Sequence, residues 1–121
     1  MRSLIVDDNR SFLEAARMLL EREGLTVAGV ASTCADALRQ AKALRPDVIL
    51  VDISLGKESG FDLARLLVED GHGGDAAVVL ISTLAEEDVA DLIAASPAAG
   101  FLPKTELSAS AIRRIVDGRL S

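Results

Sequence analysis

The chain has 121 residues, half of them hydrophobic, with a formal net charge of −6 and only 2% aromatic residues, none of them Trp or Tyr. That length holds one domain with a real core, and the hydrophobic content excludes a disordered chain. The acidic balance and the scarcity of rings argue against a nucleic-acid surface, against base stacking on single strands and against a flavin site.

In chain order, Ser3 to Val6 reads as a short buried strand that ends in Asp7 and Asp8. Asn9 is placed to cap a helix in which Phe12, Ala16, Leu19 and Leu20 recur at helical spacing as far as Glu23, and Gly24 closes it. Leu25 to Ala31 reads as a second strand, with Gly29 a thin spot in it. Thr33 to Leu44 follows as a helix with Ala37, Leu38, Ala41 and Leu44 on its apolar side, stopped by Pro46. Cys34, the single cysteine, excludes an internal disulfide or a CxxC site and reads as a small, partly buried residue near that helix start.

Val48, Ile49, Leu50 and Val51 then form an unbroken apolar run that ends abruptly in Asp52. A run without alternation must be covered on both faces, as in the centre of a parallel sheet. By itself Asp52 reads most simply as a residue capping a turn. The segment from Ser54 to Ser59 contains Gly56 and is followed by Gly60, so the backbone can turn sharply there. Phe61, Leu63, Ala64, Leu66 and Leu67 make a third helix, which runs out in a loose loop from Gly71 to Gly74. His72, the only histidine, sits among those glycines and reads as a solvated loop residue.

Ala76 to Ile81 is another continuous apolar strand and ends in Ser82 and Thr83. Glu86 to Ala95 reads as a short acidic helix with Val89, Leu92 and Ile93 as its apolar contacts, broken by Pro97. Ala98 to Leu102 gives a last strand, followed by Pro103 and Lys104. Leu107 to Leu120 closes the chain as a helix, with Ile112, Ile115 and Val116 inward and Arg113, Arg114 and Arg119 largely outward. No segment reaches the length of a membrane span, and the amino terminus lacks the form of a signal peptide, so a cytoplasmic protein without membrane contact is expected.

Strand and helix alternate throughout, which gives an α/β fold: a five-stranded parallel sheet with helices on both faces, joined by right-handed crossovers. In such a sheet the carboxyl ends of the strands meet along one edge, where ligands bind. Those ends carry Asp7 and Asp8, Asp52, Ser82 and Thr83, and Lys104. Clustered carboxylates repel one another, and a hard divalent cation with oxygen ligands, Mg²⁺, is the simplest remedy. A carboxylate is also a nucleophile toward phosphorus, and Asp52, on the central strand, is the candidate. The cation, a hydroxyl and an ammonium would offset the charge of the transferring group.

With an acidic pair, an acceptor Asp, a hydroxyl residue and a Lys each at a strand end, the sequence resembles the receiver domain of two-component response regulators over essentially its whole length. The separations, 44 residues from Asp8 to Asp52, 30 to Ser82 and 22 more to Lys104, agree with that family. The resemblance implies a flavodoxin-like (βα)5 doubly wound fold with strand order 2-1-3-4-5. It further implies that residues 1–121 form a single receiver domain with no output domain, and that Asp52 accepts phosphate from a sensor histidine kinase or phosphotransfer protein. Asp8 would bind Mg²⁺ directly, Asp7 would assist, and the backbone carbonyl of Ser54 would supply another ligand. Ser82 and Lys104 would hold the phosphoryl oxygens, and Phe101 is the aromatic switch residue that follows Ser82. Ser54 and Leu84 would flank the path of attacking water, and the apolar Leu84 predicts slow autodephosphorylation.

Three positions depart from the family pattern. Leu55 and Gly56 replace the usual Met-Pro pair, which predicts a more mobile loop. Thr83 replaces a small Ala and crowds the path of Phe101. Pro103 precedes Lys104 while Thr105 follows it, which removes the usual reason for a cis bond after the lysine.

The expected function is a phosphorylation-dependent signalling switch and not an enzyme, beyond catalysing its own phosphorylation and dephosphorylation. The alternatives are a Mg²⁺-dependent aspartyl-phosphate phosphatase, disfavoured by Ser54 where such enzymes carry an acid, and the receiver part of a longer DNA-binding regulator. A flavodoxin-like electron carrier is disfavoured by the lack of rings, and a scaffold that no longer switches by the intact site. Opposite charges on the fourth helix (Glu86, Glu87, Asp88, Asp91) and the fifth (Arg113, Arg114, Arg119) suit a two-fold homodimer, although two ordinary solvated faces explain them as well.

Overall fold

The computed structural model describes residues 1–119, without the side chain of Arg119. Its sheet strands are β1 (Arg2–Val6), β2 (Thr26–Ala31), β3 (Val48–Asp52), β6 (Ala77–Ser82) and β7 (Gly100–Pro103), and β4 (Ser54–Leu55) pairs with β5 (Glu58–Ser59) in a separate hairpin. The helices are α1 (Arg10–Arg22), α2 (Cys34–Leu44), α3 (Gly60–Val68), α4 (Ala90–Ala95) and α5 (Ala109–Arg119). The five long strands run parallel in the order β2-β1-β3-β6-β7, which is the flavodoxin-like order 2-1-3-4-5 once the hairpin is set aside. Every residue of β3 is buried, as its unbroken apolar run requires.

Side chains alternate across the sheet and feed two cores. Leu4, Val6, Ile49, Val51, Val78 and Leu80 point to the side covered by α2 and α3, where Ala37, Leu63 and Leu67 meet them. Ile5, Leu50, Val79 and Ile81 point to the other side and pack on Leu13, Leu20, Ile112 and Val116 of α1 and α5. Each strand therefore spends both of its faces on burial, and only its ends are left to carry polar chemistry.

Helix starts follow the capping residues. The Asn9 side chain accepts from Phe12 N–H at 3.1 Å, Thr33 caps α2 through Asp36 N–H at 3.1 Å, and Ser59 accepts from Phe61 N–H at 3.2 Å. Several boundaries differ from expectation. The acidic run Glu86–Asp88 is a 3₁₀ turn and α4 proper has only six residues, because Val89 alone of that stretch is buried. Leu92, expected as a core contact, is 54% exposed. The last helix begins at Ala109 rather than Leu107, after a 3₁₀ turn at Lys104–Glu106, and Leu120 lies outside the described residues. The glycine loop is not loose. His72 N–H and Gly73 N–H donate to Leu66 and Leu67 carbonyls, closing α3, and Gly73 is buried.

The sharp turn expected after Asp52 is present, in a hydrogen-bonded form. The segment folds into the hairpin of β4 and β5, and Glu58 Oε1 accepts the Cys34 N–H at 3.0 Å, tying the hairpin to the start of α2. Gly56 makes the turn with φ +61°. Burial and then Glu58 push the Cys34 thiol up to about 11, which favours its protonated form. No cis peptide bond occurs among the described residues.

Gly60 is the tightest point of the fold. A Cβ there would stand 2.0 Å from the carbonyl oxygen of Asp52 and 2.7 Å from Ile53 Cα, both backbone atoms that cannot step aside. Gly60→Ala is therefore expected to cost about 3 kcal/mol. Gly118, where a Cβ meets nothing within 4 Å, is expected to gain up to about 1 kcal/mol on change to Ala. Urea midpoints of the two variants check the pair of signs.

Candidate functional site

Strand register brings the polar ends together. Val6 pairs with Val51, so Asp7 and Asp52 follow at the same level on adjacent strands. Asp52 pairs with Ile81, and Ser82 pairs with Pro103, which sets Ser82 and Lys104 on the far side of Asp52. Asp7, Asp8 and Asp52 each offer a carboxylate oxygen, and these atoms lie within 4.8 Å of one another. Asp7 is fully buried, Asp52 is 6% exposed and Asp8 is exposed, so the cluster opens to solvent on the Asp8 side. Gly56 comes close to Asp8 there: a Cβ would lie 3.5 Å from Asp8 Oδ2.

One cation faces these carboxylates. Lys104 Nζ is 2.6 Å from Asp7 Oδ2 and 3.2 Å from Asp52 Oδ2. The contact with Asp52 has hydrogen-bond geometry. The contact with Asp7 is charge against charge, and Asp7 Oδ2 has no hydrogen-bond partner although it is buried. The remaining oxygens are met by backbone: Asn9 N–H donates to Asp7 Oδ1 at 2.8 Å and Ser54 N–H to Asp52 Oδ1 at 3.1 Å. Burial raises the Asp52 carboxyl above its ordinary range and Asp7 raises it further, against the lowering effect of the Ser54 N–H and of Lys104. Burial pulls the Lys104 ammonium down, but Asp7 and Asp52 outweigh it and the net direction is upward, so Lys104 stays charged. Two unit charges at 4.8 Å repel by about 3 kcal/mol at an effective dielectric of about 20, less where Asp8 is hydrated. One ammonium cannot balance three carboxylates. The donor set, oxygen only with three clustered carboxylates facing one ammonium, fits a hard divalent cation.

Ser82 is buried, and its Oγ accepts the Leu84 N–H at 2.9 Å, which leaves the hydroxyl proton to donate. Thr83 is exposed and Leu84 is 47% exposed, and both line an open groove of about 640 Å³ beside Phe101 and Pro103. Phe101 itself is 7% exposed and packed in the core on the α2 and α3 side. Ser54 is exposed next to the cluster, and His72 lies in the loop after α3, away from it. Three contacts had no clear signal in the sequence. Phe12 is legible only as a helix-face residue, yet its ring lies under Lys104 Nζ, 4.3 Å from the centroid. Glu58 carries no motif that points to Cys34. Asn9 is legible as a cap but not as a donor to Asp7.

The family model described as "response regulator receiver domain" matches residues 3–117. The chain belongs to the response regulator receiver family. This receiver is 32% identical to the response regulator GacA of Pseudomonas aeruginosa over 96% of its own length and 55% of that protein. It is 33% identical to the DNA-binding response regulator MtrA of Mycolicibacterium smegmatis over 76% of its length and 38% of that protein. The receiver thus spans about half the length, or less, of the curated relatives it matches. Among solved structures, a response regulator from Burkholderia pseudomallei, with a phosphorylated aspartic acid, a calcium ion and citrate, aligns with a TM-score of 0.79 at 28% identity, over 95% of this chain and 65% of that one. A LuxR-family regulator from Aurantimonas sp. SI85-9A1 aligns with a TM-score of 0.84 at 25% identity, over 97% of this chain and 85% of that one. No helix among the described residues is long and apolar enough to cross a membrane.

Because its folded-state pKa is raised, Asp52 favours the fold when protonated, and that contribution is lost as pH rises through the raised value. In a chelator, Asp52→Asn should raise the melting temperature at pH 7, by roughly 4 °C for each kcal/mol relieved. The gain should vanish as pH falls below the ordinary carboxylate range. Thermal melts of both proteins at pH 7 and at about pH 3, below the ordinary Asp value, measure it.

Proposed function

We propose that this receiver is a phosphorylation-dependent switch in which Asp52 accepts a phosphoryl group from a sensor histidine kinase or phosphotransfer protein. The observation that carries the reading is the buried Asp52 carboxylate at the end of the central strand, 3.2 Å from Lys104 and within 4.8 Å of the Asp7 and Asp8 carboxylate oxygens. An Asp52 oxygen attacks phosphorus as the bond from phosphorus to the donor's histidine nitrogen breaks, and with that ring protonated on its other nitrogen it leaves as neutral imidazole while an acyl phosphate forms on Asp52. Asp7, Asp8, Asp52 and the Ser54 carbonyl would hold Mg²⁺, which supplies positive charge to the oxygens of the transferring group. The Lys104 ammonium and the Ser82 hydroxyl proton face the charge that arrives with it.

Output in this reading runs through Ser82. Its hydroxyl turns from the Leu84 N–H toward the phosphoryl oxygens, the loop of Thr83 and Leu84 follows, and Phe101 has the adjoining groove to move against. The half-exposed Leu84 covers one side of that loop with an apolar surface that cannot orient an attacking water, so phosphate loss is slow. In the same reading a homodimer forms through α4 and α5, with the acidic residues mostly on the 3₁₀ turn before α4. The reading that the chain works within a DNA-binding regulator draws on MtrA, whose length extends well beyond the match.

With Mg²⁺ and acetyl phosphate the chain is expected to gain one hydroxylamine-labile phosphate, read by intact mass, and Asp52→Asn should abolish it while Asp91→Asn should not. Unchanged labelling of the Asp52→Asn protein would place the acceptor elsewhere. Millimolar Mg²⁺ should raise the melting temperature of the parent, by an amount equivalent to about 2.7 kcal/mol at one hundred times its dissociation constant. Asp8→Ala should raise the metal-free melting temperature and remove that response. An equal Mg²⁺ response in both proteins would show that the cation binds at another place.

A further inference from the structure

Lys104 has three described partners at its ammonium: Asp7 Oδ2 at 2.6 Å, Asp52 Oδ2 at 3.2 Å and the Phe12 ring at 4.3 Å from the centroid. The two carboxylates are the groups whose charge is altered when a divalent cation or a phosphoryl group arrives. The ring is the one partner that neither event alters. Its position is also built in. Phe12 stands in the first turn of α1, where its N–H is held by the Asn9 side chain at 3.1 Å, and Asn9 N–H in turn holds Asp7 at 2.8 Å. The partly buried ring packs against the core between α1 and α5, and the Lys104 ammonium lies over it. A ring face attracts an ammonium by its quadrupole, and more strongly where water is excluded, as it is around a lysine side chain only 12% exposed.

We propose that Phe12 is a positioning residue for phosphoryl transfer: its ring keeps the Lys104 ammonium at the acceptor carboxylate while the charges of Asp7 and Asp52 are being engaged. This rests on the reading of Asp52 as the phosphoacceptor, and two measurements separate the fates of the two ideas. The first needs no phosphorylation. In NMR spectra, with and without Mg²⁺, the Lys104 ε-methylene protons should show an upfield ring-current shift that is lost in Phe12→Leu and kept in Phe12→Trp. Absence of that shift in the parent, or its loss on adding Mg²⁺, would overturn the proposal whatever the acceptor is.

The second measurement is the rate of labelling by acetyl phosphate with Mg²⁺. Phe12→Leu should be slower by at least roughly two- to fivefold, the worth of such a contact at an exposed site. Phe12→Trp should restore the rate, since Trp offers a better ring face on a side chain of different shape. Phe12→Met, which keeps bulk without a ring, should behave as Leu does. Melting temperatures of all variants establish that they are folded at the assay temperature. Leu and Met variants that label at the parent rate would overturn the positioning role. If the parent itself takes up no phosphate, the acceptor reading fails, and the ring-current result alone decides whether Phe12 positions the lysine.

Discussion

A buried carboxylate whose charge opposes folding governs this molecule. Asp52 sits at the end of a strand buried on both faces, with Asp7 beside it on the next strand and Asp8 at the solvent side. Like charges this close oppose folding. Most surrounding features can be understood as answers to that repulsion: the Ser54 and Asn9 amides aimed at carboxylate oxygens, the Lys104 ammonium drawn in across the sheet, and the Phe12 ring behind it. None of them neutralises the site fully, and the residual negative charge is what attracts a cation. The energy withheld from folding is thereby available to binding, in the sense that a ligand bound only by the folded state recovers it.

The scaffold makes this placement by register rather than by loop design. Once the parallel strands align their apolar runs, Asp7, Asp52, Ser82 and Lys104 come to one edge without further instruction. Gly60 completes the arrangement, since only a residue without Cβ lets α3 begin against the Asp52 carbonyl. The hairpin gives the loop after Asp52 a hydrogen-bonded form, with Glu58 as its clip to α2.

The parts that were legible in the sequence share one property: each is written in a contiguous stretch. Val48 to Asp52 announces a central strand with a charge at its end, and Asn9 and Thr33 announce helix starts. The order of strands came from the resemblance, not from any local pattern. What could not be read is the contact between distant segments. Nothing in Phe12 distinguishes a ring that packs in the core from one that also meets a lysine far along the chain. The region from Glu86 to Ala95 misled for a different reason. Its apolar residues have helical spacing, but the chain has too few of them there to hold nearly three turns on the core, so Val89 is buried, Ile93 packs on the core only in part and the helix is short.

A crystal structure of the protein with Mg²⁺ and beryllofluoride, a mimic of the phosphoryl group, tests whether Asp52 is the acceptor and whether Lys104 and Ser82 receive the incoming charge. The expected result is beryllium bonded to an Asp52 carboxylate oxygen, Mg²⁺ on Asp8 and Asp52, and fluorides contacted by Lys104 Nζ and Ser82 Oγ. An adduct on another residue, or an Asp52 that stays bare with Mg²⁺ bound and beryllofluoride in excess, would contradict it.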